Sequence, residues 1–391
     1  MKITILLGRG IEGCGVTKHT IELMKWLKKN NHSVETFANK VKKYTRSDSH
    51  IHAINEIKFS KEEAFNQITA SCNDSDYVII NSFPAIKYEQ KEIDAFQRII
   101  DSIETKIIVI QHDHNIISIK RNACMLETIA KSYKIYTHSV SNAFVEYVRE
   151  LGFNHTIKKF QPGFNFDDIR KIYWKPIQQQ DTKIHRWIGR ASPWKGIYAF
   201  FNLHDNYLRR DGNISIMEGI ENSLYYKDLC LNDKWNFEDY TRTDRYQYVD
   251  IPFESNKKIY LCGYYKNAEM LERMSNTGFG YQLTTMKPKF IEHSIEYTHC
   301  EIVACGALPV FRKSFGDLCV HRKQSLPLTQ CKNTGTVWLE DNDMSKAVAI
   351  IKQLSVDHVM RDEWRNMAYE FYKEHQGTGE EFNELFGLHS N

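Results

Sequence analysis

A chain of 391 residues is longer than one hydrophobic core usually serves, so two domains are expected. With 42% hydrophobic and 26% charged residues the composition is globular, and a net charge of +3 excludes a uniformly basic coat: any nucleic-acid surface must be local. The nine cysteines show neither a CxxC pair nor zinc spacing, which points to reduced thiols rather than a disulfide framework or a zinc module.

The opening run Met1 to Leu7 is too short for a signal peptide or a membrane span. Ile3 to Leu7 reads as a strand, and Gly8, Gly10, Gly13 and Gly15 make a glycine-dense loop after it. Its backbone N–H groups suit an anionic or sugar ligand, with Gly13 and Gly15 as candidate contacts. The spacing is not GxGxxG, which argues against a nicotinamide cofactor. Thr17 is placed as the cap of a helix carrying Ile21, Leu23, Met24 and Leu27, ended by Asn30-Asn31-His32; Ser33 to Ala38 is the next strand.

Tyr77 to Ser82 and Lys106 to Ile110 are further buried strands, each after a helical segment. Asp74-Ser75-Asp76 has the DxD pattern of metal-dependent sugar transferases, but it precedes a strand instead of following one, away from the ligand edge of an open α/β sheet. Gln111-His112-Asp113-His114 does follow a strand. His112 and Asp113 are therefore candidates for general-base or sugar-binding work, against a plain hydrogen-bonded loop. Lys120 and Arg121 come close behind, on a candidate helix. Lys134 to His138 is a strand and Asn142 to Leu151 a helix.

Polar composition with Pro162, Gly163, Pro176 and Gln178 to Gln180 marks a linker, set at residues 166–183 between an N-terminal Rossmann-like domain (1–165) and a C-terminal one (184–360). The second half restarts with strand Ile184 to Ile188, then Gly189, Arg190 and Lys195, with a helix beginning near Gly196. Arg190 and Lys195 at a strand's carboxyl end and a helix start suit a diphosphate, the alternative being two solvated cations. Strands follow at Ser215 to Gly219, Lys258 to Cys262, Phe279 to Leu283 and Leu308 to Phe311, interrupted by an irregular aromatic stretch from Asp228 to Phe253 that could stack bases or cover a sheet edge. Glu301 lies on a helix stopped by Gly306, where a carboxylate can accept from a ribose diol. Residues 361–391 read as a helix and tail. In that tail Phe382, Leu385 and Phe386 share one helical face, either for docking on a sliding clamp or for packing on the first domain.

The Glu-Ile-Val-Ala-Cys-Gly-Ala-Leu-Pro-Val string at 301–310, Gly189-Arg190 with Trp194-Lys195-Gly196, and the N-terminal glycine loop resemble retaining nucleotide-sugar glycosyltransferases of two Rossmann-like domains. Closer strings are Gly-Cys-Gly-Val-Thr-Lys at 13–18, Gln-His-Asp-His at 111–114, Arg-Trp-Ile-Gly-Arg at 186–190, Gly-Phe-Gly-Tyr-Gln-Leu at 278–283 and Glu-Tyr-Thr-His at 296–299. They resemble the DNA α-glucosyltransferases of T-even bacteriophages over essentially the whole chain. One departure is His293, where the broader fold family carries a Glu eight residues before the ribose-binding one.

The resemblance implies an α/β GT-B fold, its two domains facing across a cleft, and glucose transfer from UDP-glucose to 5-hydroxymethylcytosine in double-stranded DNA. Arg190, Lys195 and Glu301 would hold UDP, Gly13, Gly15 and Gly280 would line the nucleotide-sugar site, and Lys120 and Arg121 would meet DNA. It also implies that His112 holds the sugar and Asp113 polarises the acceptor hydroxyl, with the cations replacing a metal and no further cofactor. A monomer in the cytoplasm of an infected bacterium, with no membrane partner, is expected. The alternatives are another donor such as an arabinose nucleotide, a non-DNA acceptor, or a non-catalytic DNA-binding relative.

Overall fold

The computed structural model describes residues 1–11, 15–40, 53–85, 88–112, 121–122, 125, 133–137, 157–159, 163–189, 195–219, 240–242, 259–261, 267–285, 295–377, 379 and 382–387. They divide into two units: the described residues through Phe164 together with those from Gly377 onward, and those from Asn165 to Gln376.

The first unit is built on strands β1 (Lys2–Leu7), β2 (Ser33–Asn39), β3 (Asn55–Ile57), β4 (Tyr77–Ser82), β5 (Lys106–Gln111), β6 (Tyr133–Thr137) and β7 (Ile157–Lys159). They form one parallel sheet in the order β3-β2-β1-β4-β5-β6-β7. Helices α1 (Gly15–Lys29), α2 (Glu62–Asn73) and α3 (Gln90–Asp101) supply the crossovers. A sheet covered on both faces calls for unbroken apolar strands, and Ile107 to Ile110 is such a run. Val78 and Ile80 pack with Phe96 of α3 on one face. Ile3, Ile5, Ile79 and Ile108 pack with Leu23 and Leu27 of α1 on the other. The order reverses between β1 and β4, which makes the carboxyl ends of those strands the switch point where ligands of such sheets bind.

The second unit repeats the plan with β8 (Asp181–Ile188), β9 (Ile214–Glu218), β10 (Tyr240–Arg242), β11 (Ile259–Leu261), β12 (Thr277–Gln282), β13 (Leu308–Arg312) and β14 (Val337–Leu339). The order is β10-β11-β9-β8-β12-β13-β14, all parallel, with its switch point between β8 and β12. Its helices are α4 (Phe166–Tyr173), α5 (Ile197–Asn206), α6 (Asn267–Ser275), α7 (Tyr297–Ala304), α8 (Lys313–Gly316), α9 (Ser345–Val356) and α10 (His358–Gln376).

Three expectations change. The stretch read as linker folds instead: Asn165 caps α4 by accepting from the Asp168 N–H at 3.2 Å, and Asp167 and Asp168 suit the helix N-terminus. Thr17 lies inside α1, which starts at Gly15, so it is not the cap. Tyr240 to Arg242, within the stretch read as irregular, is a strand paired with β11. The tail's three anchors are already engaged. Helix α11 (Asn383–Phe386) places Leu385 and Phe386 beside Phe382 in the core of the first unit, with Trp26 stacked on Phe386 at 6.3 Å. Docking on a clamp would require that segment to leave its seat, so the structure gives the packing reading its support.

Asp74-Ser75-Asp76 sits at the amino end of β4, away from the switch point. Asp76 accepts from the Lys2 N–H at 2.8 Å, Asp74 pairs with the Lys2 ammonium, and the Ser75 hydroxyl lies 2.8 Å from that of Thr4. It ties two strand starts together. The five described cysteines are unbridged, four of them buried. Among the described residues no helix is long and apolar enough to cross a membrane.

Candidate active site

In the second unit, the candidate phosphate-binding segment leaves β8 at its carboxyl end. Residues 190–194, and with them Arg190, lie outside the described residues. Gly196 then starts α5 with φ of 74°, and a Cβ there would stand 2.0 Å from the Leu283 carbonyl oxygen, so only glycine fits. This close approach brings Lys195 to the residues that follow β12. Its carbonyl accepts from the Trp187 indole N–H at 3.2 Å, and its ammonium pairs with the Glu296 carboxylate. The second oxygen of Glu296 accepts from Gln282 Nε2 at 3.2 Å, and Thr284 donates to Gln282 Oε1 at 3.1 Å.

Glu296 is also the residue before α7, the helix that carries Glu301. Sequence reading left Glu296 without a partner; the structure shows it holding Lys195. Glu301 itself is 4% exposed, a buried carboxylate rather than a solvated one. Burying a carboxylate costs several kcal/mol unless its lone pairs are met, so this position is a committed one. Gly306 ends the helix with φ of 79°, as expected. Gly280 sits inside β12 rather than at its end. A Cβ there would come 2.5 Å from Ile302 Cγ2, so helix packing accounts for this glycine and the nucleotide contact expected of it finds no support in its placement.

His299 lies on α7 between Phe311 and Phe315, with ring centroids at 4.4 and 4.6 Å, and burial pushes its pKa down to about 4. His185, stacked on Phe279 with Nδ1 2.6 Å from the Tyr281 hydroxyl, is pushed down to about 3 by the same burial. Each is neutral in the folded chain and titrates near 6.5 when unfolded. Between pH 6.5 and about 4 the unfolded state therefore binds more protons, so stability is full above pH 6.5 and falls with acidification. The expected slope is about 1.4 kcal/mol per pH unit for each group. Urea midpoints between pH 7.5 and 4.5 check this: His299→Phe should remove one group's share, and an unchanged slope would show that His299 is not buried neutral.

The first unit's edge is assembled at its own switch point. The Gly8 N–H donates to the Ser82 carbonyl at 2.8 Å, the Arg9 N–H to the Ser82 hydroxyl at 3.3 Å, and the Gly10 N–H to the Tyr88 hydroxyl at 3.1 Å. These three amides are spent inside the protein, which corrects the view of the whole glycine loop as an anion cradle. Gly15 opens α1, and Gly13 lies outside the described residues.

His112 stands at the end of β5, as expected. Its Nε2 is 3.0 Å from Asn81 Oδ1, at the end of β4. Asp113 and Lys120 lie outside the described residues. Arg121 directs its guanidinium to the Pro84 carbonyl and, at 3.1 Å, to Asn122 Oδ1, so part of its fork fixes the loop after β4. Asn81 went unnoticed in the sequence. The signal for it was the one that found His112: a polar residue closing an apolar strand at the ligand edge.

The second unit thus sets an ion-paired lysine after β8 and a buried glutamate on α7, and the first a histidine at the end of β5. Comparison with known proteins decides the family. The family model described as DNA alpha-glucosyltransferase matches residues 14–359. The DNA alpha-glucosyltransferase of Enterobacteria phage T4 is 35% identical over 99% of both chains. This chain belongs to the DNA alpha-glucosyltransferase family. Two solved structures agree in shape along 99% of both chains at 34% identity. They are an alpha-glucosyltransferase with UDP and a 13-mer DNA containing an HMU base (TM-score 0.89) and one with UDP-glucose and DNA containing an abasic site (TM-score 0.88). The fold is accordingly the α/β GT-B fold of glycosyltransferases.

Proposed function

We propose that this protein is a retaining glucosyltransferase that moves glucose from UDP-glucose to the hydroxymethyl group of 5-hydroxymethylcytosine in double-stranded DNA. The observation that carries this reading is the full-length match to a DNA alpha-glucosyltransferase; the ion-paired Lys195 after β8 and the buried Glu301 on α7 support it. Arg190 and Lys195 stabilise the charge that builds on the leaving diphosphate, and Glu301 accepts from the ribose hydroxyls. His112 holds the donor sugar, and Asp113 polarises the acceptor hydroxyl. Gly13 and Gly15 lie near the donor, and Lys120 and Arg121 approach the DNA backbone.

The bond from the anomeric carbon to the UDP oxygen breaks as the bond to the acceptor oxygen forms on the same face. The hydroxyl proton passes to Asp113 or to the departing phosphate, and UDP leaves. The α configuration is thereby kept without a covalent intermediate. A glucosylated base in phage DNA resists host nucleases; in this reading the enzyme acts in the cytoplasm of the infected bacterium, as a monomer, on its two substrates without a further cofactor.

The test is incubation with UDP-glucose and hydroxymethylcytosine DNA, followed by mass analysis of the nucleosides and the anomeric coupling of the product. A gain of one hexose in α linkage is expected. UDP release without DNA modification would redirect the acceptor, and transfer only from an arabinose nucleotide would redirect the donor.

Lys195→Ala and Arg190→Ala should each weaken UDP binding in calorimetry by about 1.5–3 kcal/mol, the usual loss for a hydrogen bond to a charged group. Unchanged affinity in both would remove the diphosphate assignment.

A further inference from the structure

We propose that Asn81 is a positioning residue that locks His112 in the tautomer carrying its proton on Nε2, an inference that rests on His112 serving the donor sugar. The Thr20 hydroxyl donates to the Val16 carbonyl at 2.9 Å, one turn back along α1. A hydroxyl has one proton, so toward Asn81 its oxygen accepts, at 2.7 Å from Nδ2. That contact decides which way the Asn81 carboxamide faces. Its Oδ1 is left toward His112, 3.0 Å from Nε2.

A carbonyl oxygen there demands an N–H on the ring. Neutral His112 therefore carries its proton on Nε2, and Nδ1 is the nitrogen that gains and loses a proton. Asn81 and Thr20 are both fully buried, so no water replaces either partner, and turning the amide would leave polar groups unmet. Among the described residues a titratable neighbour of His112 is His19, on α1 with Thr20, whose ring meets it edge-on at 4.8 Å and is itself backed by Phe382; Asp113, next in the chain, lies outside the described residues. The chain Val16–Thr20–Asn81–His112 thus runs from α1, through β4, to the end of β5. It carries the orientation of a helix to a side chain at the end of β5, the strand beside the switch point.

The experiment uses full-length protein labelled with ¹⁵N-histidine, the His112 signals being those lost in His112→Gln. The parent should show the Nε2–H pattern. Thr20→Val, nearly isosteric, frees the amide to turn. A second tautomer should appear and KM for UDP-glucose should rise several-fold, with kcat little changed. Asn81→Asp puts a carboxylate against Nε2–H and should raise the titration of His112 by a unit or more, moving the acid limb of the kcat/KM profile for UDP-glucose with it. An Nδ1–H pattern in the parent, or a tautomer indifferent to both substitutions, would overturn the proposal. The tautomer is read without turnover. If the parent transfers no glucose while the ring signals shift as stated, the assigned function fails and the positioning stands.

Discussion

Asp113→Asn is expected to lower turnover on the order of 10²-fold or more, with little change in KM for UDP-glucose or for DNA. Asparagine keeps the size and the hydrogen-bonding shape of the side chain but cannot take a proton or bear the charge that an acceptor hydroxyl leans on as it attacks. An effect confined to kcat is the mark of an interaction made in the transition state; a rise in KM alone would describe a residue that only binds. Steady-state rates on hydroxymethylcytosine DNA, with mass analysis of the product, provide the measurement. Transfer at nearly the parent rate would make Asp113 structural and leave the departing phosphate to accept the proton. His112 is the control: it precedes Asp113, holds the sugar in the same reading, and should raise KM for UDP-glucose when replaced by Ala.

Glu218→Ala should unfold the protein more readily, by about 3–5 kcal/mol, the cost of leaving buried charge without its partner. Glu218, at the end of β9, is fully buried and serves two cations. One oxygen takes Arg186 Nη1 and, at 3.0 Å, Arg273 Nε; the other takes Arg273 Nη2 at 2.7 Å. Arg186 also donates from Nε to the Thr277 hydroxyl at 3.0 Å, and that hydroxyl donates to the Arg273 carbonyl at 2.9 Å.

Removing the carboxylate takes the shared partner from two guanidinium groups at once, leaving Arg273 its 4.0 Å contact with Glu269 and Arg186 its bond to Thr277. Arg186→Met should cost less, because Glu218 keeps its two-pronged contact with Arg273. Thermal and urea midpoints of the two variants decide it, and equal losses would mean that Glu218 is not the hub. The Gly189 N–H also donates to the Glu218 carbonyl, at 3.2 Å, so this cluster anchors the strand that leads into Arg190. Loss of UDP affinity is expected to accompany the loss of stability in Glu218→Ala.

Much of this molecule was open to reading because its central strands are buried on both faces. Such strands must be apolar throughout, so Tyr77–Ser82 and Lys106–Gln111 stood out with boundaries within one residue of those observed. The alternation of such runs with helical segments specified the doubly wound class, and the turn at Gly189 and Gly196 located the ligand edge. The three-residue strands Asn55–Ile57, Ile157–Lys159, Tyr240–Arg242 and Val337–Leu339 escaped notice. Strands so short carry no periodicity, and only pairing with a neighbour makes them strands. The helix at Phe166–Tyr173 was missed for another reason: Gly163, Pro176 and the glutamines around it outweighed the capping signal of Asn165.

By itself the sequence determined the residue types at the two switch points: a lysine before Gly196, a glutamate on the helix before Gly306, and His112 after an apolar strand. Covalent spacing and strand period suffice for that, since each lies a fixed few residues from a strand end. Which groups those side chains meet was decided only by the tertiary structure. Lys195 finds Glu296 across 101 positions, Arg186 finds Glu218 across 32, and His112 finds Asn81 across 31. No local pattern encodes such partners, because parallel pairing through crossover helices brings strand ends together irrespective of their distance along the chain. The same holds for the tail. Phe382, Leu385 and Phe386 show one apolar face in the sequence, but whether that face meets a foreign groove or Trp26 depends on what the folded chain leaves beside it.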